Sequence, residues 1–215
     1  MTALVTYAVD GHVARLTLDS PHNRNALSGR LVEQLHAGLR EAAADPGVRV
    51  LVLGHTGGTF CAGADLSEAS GGDPFESTAA RTRDLATVLR AIVESPLPVV
   101  AAIDGHVRAG GLGLVGACDI AVAGPRSTFA LTEARIGVAP AIISLTLLPK
   151  LSPRAAARYY LTGETFSAER AAEIGLITLA AEDVTAAVDG LVADLGRGSP
   201  QGLAASQALT TASIL

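Results

Sequence analysis

The stretch Ala109–Asp119, AGGLGLVGACD, places the tightest limit on what this chain can fold into. Gly111, Gly113 and Gly116 spell G-x-G-x-x-G, the spacing of a dinucleotide-binding turn. Such a turn needs a strand running straight into the first glycine, and then a helix that crosses back to a parallel strand. Here the apolar run PVVAAI ends near Ile103, and DGHVRAG intervenes before Gly111. The next strand candidate, DIAVAG, opens at Asp119. That leaves no room for a crossover of about ten residues or more. No acid stands at the usual strand end to hold a ribose. Two uses of the glycines remain. They can let a helix pack tightly against a sheet, or they can expose backbone N–H groups at a helix start. There the dipole is positive, and an anion or a developing oxyanion can be held.

The rest of the chain alternates strands with helices, which predicts an α/β fold. LVTYAV and VARLTL flank Asp10-Gly11, a hairpin signal. Ser28 caps a helix marked by Leu31, Leu35 and Leu39, which reaches about Ala44 and stops at Pro46-Gly47. VRVLVLG reads as a buried strand, and a Gly-rich loop follows it to Asp65. Residues 67–73 are small and polar and read as mobile. A helix spans Thr78 to Glu94, and SAERAAEIG is a helix capped by Ser167 and closed by Gly175. Hydrophobic residues make up 49% and aromatics only 3%, so the core is built from Ala, Val, Leu and Ile. The net charge of −5 argues against a nucleic-acid partner. Cys61 and Cys118 form no C-x-x-C pair, which fits a reducing cytoplasm without a disulfide framework. No leader pattern opens the chain, and no apolar run reaches membrane-spanning length. The five histidines show no metal-ligand spacing, so no metal is expected.

A second small-residue loop, GGTFCAGADLSEA, follows the buried strand, and an acid, Glu133, stands in STFALTEARIGVAP. With PHNRNALS, FCAGADL, AAIDGHVRAGGLGLVGACDIAVAG, FALTEARIGVAP and LTGETFSAERAAEIGLI in this order, the chain resembles the crotonase family, the enoyl-CoA hydratase/isomerase superfamily. The resemblance implies a spiral of ββα units with a helical C-terminal region. Residues 1–195 would be the core. Residues 196–215 would start a C-terminal helical trimerisation region that the chain carries only in part. It also implies an acyl-CoA substrate, with no cofactor beyond the CoA that is part of it, and assembly as a homotrimer or homohexamer.

Carried over by motif, the thioester oxygen would sit between the backbone N–H groups of Ala64 and Gly110. Arg24 and Ala26 would lie along the phosphate and pantetheine parts of CoA, and Ala62, Asp65 and Leu66 near its adenine. Read without the resemblance, Arg24 is a solvated surface residue, and Asp65 caps local N–H groups of its loop.

Many hydratases of the family use two glutamates. The second matches Glu133, but Gly113 stands where two-acid members carry the first. The chain is also similar to a branch of bacterial methylglutaconyl-CoA-type hydratases that shares this single-glutamate pattern. The expectation is an enoyl-CoA hydratase in which Glu133 is base toward water and acid toward Cα. Phe129, Leu131 and Ile136 around it would raise its pKa. An enoyl-CoA isomerase with Glu133 as proton shuttle, or a non-catalytic acyl-CoA-binding protein, are the alternatives. Arg108, in HVRAGG, is a candidate cation for a carboxylated acyl chain or a subunit contact. Cys61 reads as a buried thiol rather than a nucleophile.

Overall fold

The computed structural model describes residues 3–69, 74–212 and 214. The expected hairpin is present: β1 (Val5–Asp10) pairs antiparallel with β2 (Val13–Leu18), and Gly11 takes the left-handed turn conformation. α1 (Gly29–Ala44) starts where Ser28 Oγ accepts a hydrogen bond from Leu31 N at 3.2 Å. Leu31, Leu35, Leu39 and Ala42 recur at helical spacing and bury one face against the sheet.

Three ββ pairs then repeat, and they build the site. They are β3 (Val50–His55) with β4 (Thr59–Cys61), β5 (Val99–Ile103) with β6 (His106–Arg108), and β7 (Ile120–Ala123) with β8 (Thr128–Ala130). α2 (Pro74–Val93) links the first pair to the second, and α3 (Gly110–Ala117) links the second to the third. The first strand of each pair joins a six-stranded sheet, ordered β1-β2-β3-β5-β7-β10, with β10 at Leu179–Ala180. The second joins a four-stranded sheet, ordered β4-β6-β8-β9, with β9 at Phe166–Ser167. Within β3, β5 and β7 the pairing is parallel, as in the β4–β6–β8 ladder. This is the spiral of ββα units that the resemblance implies. Leu16, Leu51, Leu53, Ile103, Leu112 and Leu114 are fully buried between the layers. Each such burial contributes about 1.5–3 kcal/mol.

The chain closes with α4 (Ala141–Leu147), α5 (Pro153–Thr162), α6 (Ala168–Glu173), α7 (Val184–Leu195) and α8 (Pro200–Thr211). Ser152, Ser167, Asp183 and Ser199 each cap the helix that follows. Two differences from the sequence reading have physical causes. α2 begins at Pro74 rather than Thr78, because proline is preset for the first helical position. A helix does fit between Gly110 and Asp119, because the crossover from β5 to β7 runs through β6 and a helix of only 8 residues. Of the segment read as mobile, residues 70–73 lie outside the described residues, and Leu66–Ala69 form a 3-10 turn.

Candidate functional site

Loops after β4 and β6 meet at one point. Leu27 pairs with the first in a single parallel bridge: Leu27 N donates to Gly63 O at 2.7 Å, and Asp65 N donates to Leu27 O at 3.2 Å. In this pairing the N–H of Ala64, the residue between them, faces the other way. It donates to none of the described residues. Gly63 has φ +90°. A Cβ there would meet Ala109 Cβ at 2.7 Å, and Arg108 O and Gly110 N at 3.3 Å. The two loops are therefore in contact only because Gly63 has no side chain.

Gly110 opens α3, so its N–H is one of the groups a helix start leaves unpaired; it too donates to none of the described residues. The structure thus brings the Ala64 and Gly110 amides onto adjoining loops with both protons uncommitted. Ala109, between the loops, is held at φ +46°, ψ −121°. That conformation costs an L residue about 1–3 kcal/mol. Ala109→Gly should therefore raise the melting temperature by at least roughly 2 °C. Calorimetry checks this.

The segment before Leu27 is fixed by Asn25, which sequence reading passed over. Arg24 and Asn25 both take left-handed backbone angles, with φ 59° and 52°. The Asn25 side chain is fully buried. Its Oδ1 accepts from Ser20 N at 2.7 Å, and its Nδ2 donates to Thr56 O at 3.1 Å and Thr59 O at 2.8 Å. Ala62 N then donates to Arg24 O at 3.1 Å. Arg24, Ala26, Ala62 and Asp65 are therefore brought together beside Ala64. The Arg24 side chain is exposed and forms no ion pair or hydrogen bond with the described residues. Ala26 is buried and Ala62 half-buried. Asp65 is engaged locally: Oδ1 accepts from Ser67 Oγ at 2.7 Å and Ser67 N at 3.0 Å, and Oδ2 from Asn23 Nδ2 at 3.0 Å. The Ser67 hydroxyl, first among these, holds its carboxyl below the usual range. Its contacts are those of a loop cap. Leu66 opens the 3-10 turn that follows.

Glu133 begins the 3-10 turn Glu133–Ile136 after β8. It is half-buried, and its Oε2 is enclosed without a hydrogen-bond partner among the described residues. Burial pushes its carboxyl pKa up. Gly113 is packed shut: a Cβ there would lie 2.5 Å from Ile143 Cγ2 and 3.3 Å from Leu89 Cδ1. Gly111 and Gly116 are equally confined, with built Cβ atoms 2.8 Å from Cys61 Cβ and 2.9 Å from Leu147 Cδ2. The glycines of the G-x-G-x-x-G pattern thus serve helix packing. Gly113→Glu alone should fail to install a second acid and should destabilise the fold by about 1–3 kcal/mol. Adding Ile143→Ala should recover part of that loss in thermal denaturation.

Arg108 is engaged with the four-stranded sheet: Nη1 donates to Thr128 O at 2.7 Å and Val107 O at 2.8 Å, and Nη2 to Thr128 Oγ1 at 2.9 Å. None of the described carboxylates pairs with it. Cys61 is fully buried, and burial pushes its thiol up to about 12, so it is no thiolate nucleophile at neutral pH. Among the described residues no group of His, Cys, Asp and Glu side chains is placed to hold a metal ion.

The chain is similar to known proteins of one family. A model of the enoyl-CoA hydratase/isomerase family matches residues 9–212. A Mycobacterium tuberculosis protein named probable enoyl-CoA hydratase EchA14 is 36% identical over 189 residues, covering 86% of this chain and 73% of its own. The (E)-benzylidenesuccinyl-CoA hydratase of Thauera aromatica is 32% identical over 209 residues, covering 96% and 78%. The crystal structure of an enoyl-CoA hydratase from Mycobacterium avium superposes with a TM-score of 0.93 at 72% identity, covering 100% of this chain and 84% of that one. The chain belongs to the enoyl-CoA hydratase/isomerase family, the crotonase superfamily.

Proposed function

We propose that this protein is an enoyl-CoA hydratase that adds water across a 2-enoyl thioester with a single carboxylate. The observation that carries the reading is Glu133: a half-buried carboxyl with a raised pKa and an unpartnered oxygen, in a fold that also leaves two adjoining amide protons free. The thioester oxygen accepts from Ala64 N–H and Gly110 N–H. As water attacks C3, the C2=C3 electron pair moves toward the carbonyl, and the two amides stabilise the enolate oxygen. Their effect is largest in the transition state, where the charge is largest; losing one such donor typically lowers the rate about 10²–10³-fold. Glu133 takes a proton from the water and returns it to C2, so no proton is gained or lost overall. The reaction needs no cofactor beyond the CoA of the substrate.

The exposed, unpaired Arg24 suits a CoA phosphate, with Ala26 and Ala62 leaving room for the pantetheine. Asp65 and Leu66 then flank the adenine by backbone and loop shape. Assembly as a homotrimer or homohexamer fits the exposed apolar side chains Ile136, Val138, Leu145 and Leu161. Two buried free thiols fit a cytoplasmic setting.

Gly113 supports a second reading, an isomerase in which Glu133 carries a proton between C2 and C4 of a bound dienolate. Incubation with a panel of 2-enoyl- and 3-enoyl-CoA thioesters, resolved by mass, separates the two. Gain of one water supports hydration, and a shifted double bond at constant mass supports isomerisation. Binding without turnover across the panel would contradict both and leave an acyl-CoA-binding protein.

A further inference from the structure

Arg108 takes no part in the reaction described above. A guanidinium carries five N–H donors, one on Nε and two on each Nη. Both Nη1 donors are committed, to Val107 O at 2.8 Å and Thr128 O at 2.7 Å. Nη2 commits one, to Thr128 Oγ1 at 2.9 Å. Thr128 therefore takes the end of the guanidinium with its two oxygens, and Val107 O takes the outer Nη1 proton. The side edge is left: Nε–H and the second Nη2–H, parallel and in one plane. Neither donates to any of the described residues, and no described carboxylate forms an ion pair with Arg108. The side chain is half-buried, and burial holds its pKa below the usual value with no opposing charge beside it. His106, two residues back, lies on the same face of β6 and is exposed. Its Nδ1 lies 2.8 Å from Thr128 Oγ1, the atom that also accepts from Arg108 Nη2. The threonine hydroxyl has one proton to give. If it goes to Nδ1, His106 carries its own proton on Nε2. If Nδ1 is the donor, the Thr128 O–H is left over. Either arrangement leaves one more donor beside the Arg108 edge.

The guanidinium is turned away from the acyl end. Arg108 pairs with Ala130 in the parallel ladder, and its side chain reaches back to Thr128 at the start of β8. Glu133 and Gly110 follow the opposite ends of β8 and β6. This face also lacks an apolar anchor: among the described residues, none of the exposed large hydrophobic side chains lies on β4, β6, β8 or β9. A subunit contact is built around such anchors, so the face suits a small ion better than a second copy of the chain. We propose that Arg108, held by Thr128 and flanked by His106, forms a binding site for a small free oxyanion such as phosphate. Two oxygens of the ion accept from Nε–H and Nη2–H of Arg108 in one plane, and the donor beside them reaches a further oxygen. Three protein bonds fix the guanidinium before the ion arrives, so little freedom is lost on binding. The ion supplies the negative charge that the half-buried side chain lacks. The site lies outside the reaction and does not depend on the hydratase reading.

The test uses the full chain and inorganic phosphate as the probe, with chloride keeping the ionic strength constant. Titration calorimetry should show phosphate binding to wild type. The melting temperature should rise by about 3 °C or more when phosphate stands at about ten times its dissociation constant. Arg108→Lys keeps the charge and loses the two-pronged edge, and it should weaken binding at least about tenfold. Thr128→Val removes the hydroxyl that holds Nη2 and should weaken binding about threefold. Arg24→Gln removes the cation assigned to the CoA phosphate and should change this binding less than about twofold. Melting in chloride alone shows that each variant is folded. Absence of phosphate binding by wild type, or equal affinity in wild type, Arg108→Lys and Thr128→Val, would overturn the proposal. Either rival occupant would overturn it too. An oligomer that dissociates in Arg108→Lys, seen by sedimentation, would assign the guanidinium to a carboxylate of a second copy. A loss of kcat/KM in Arg108→Lys confined to glutaconyl-CoA, with crotonyl-CoA unaffected, would assign it to a carboxylate on the acyl chain.

Discussion

Glu133→Gln is expected to lower hydration by about 10³-fold or more while acyl-CoA affinity changes little, because a proton-transfer group contributes mainly in the transition state. Gln keeps the shape of the side chain and cannot take the proton. The same variant should melt higher than wild type at neutral pH. Burial raises the Glu133 pKa in the folded state above its ordinary value of 4.5. The folded protein therefore binds this proton more tightly than the unfolded chain. The resulting stability is fully present below the unfolded value and is lost as pH rises through the folded one. At neutral pH wild type carries an ionised, half-buried carboxylate that the variant lacks. The difference in melting temperature should shrink as pH falls toward about 4. Calorimetry of both proteins across pH 4–8, with steady-state rates at neutral pH, checks the two halves together. A variant that is both inactive and less stable at pH 7 would contradict this account of the site.

Asn25→Ala is expected to be the most damaging single change to the fold around the site. It removes three hydrogen bonds at once, one buried and two part-buried, and takes the Asn25 side chain away from Ser20 N, Thr56 O and Thr59 O, of which Thr56 O keeps His55 Nδ1 at 3.3 Å. Each buried polar group left unpaired costs about 1–3 kcal/mol. Alanine is also less at ease than asparagine at φ 52°. A loss of at least about 3 kcal/mol follows, or a melting temperature lowered by roughly 6–12 °C for a domain of this size. The damage should reach function, since Asn25 ties the Arg24–Leu27 segment to the turn that leads into β4 and the Ala64 loop. KM for acyl-CoA should rise along with the loss of stability. A variant that melts within about 2 °C of wild type would show that water or a shifted backbone replaces these bonds.

The long, strongly patterned elements were legible in the sequence. The Asp10-Gly11 hairpin, the Ser28-capped helix and the run VRVLVLG each carry a local signal that the fold keeps. The strands of the smaller sheet were not legible. Thr59–Cys61, His106–Arg108 and Thr128–Ala130 are too short to show an alternating pattern, and the sheet exists only because the spiral stacks them. The helix at Gly110 was legible only as an open alternative. Its glycines oppose helix formation, and tertiary packing on all sides overrides that preference. Glu133 and the Ala64 and Gly110 positions were reached by motif. What the motif did not carry is the reason Gly113 is glycine: Ile143 is thirty residues away in the chain and meets it only in the fold. Asn25 escaped notice because an asparagine in a loop looks solvated until its partners at Ser20, Thr56 and Thr59 are in place.

The central claim is that one carboxylate governs the hydration. The pH dependence of kcat/KM for a 2-enoyl-CoA tests it most directly, because that profile reports the ionisations of the free enzyme. The account predicts an acid limb that falls with a slope of about one as pH drops through a single pKa above the ordinary glutamate range. It also predicts that the residual activity of Glu133→Gln loses that limb. A slope of two, or an acid limb that survives in Glu133→Gln, would mean that another acid does the work assigned here to Glu133.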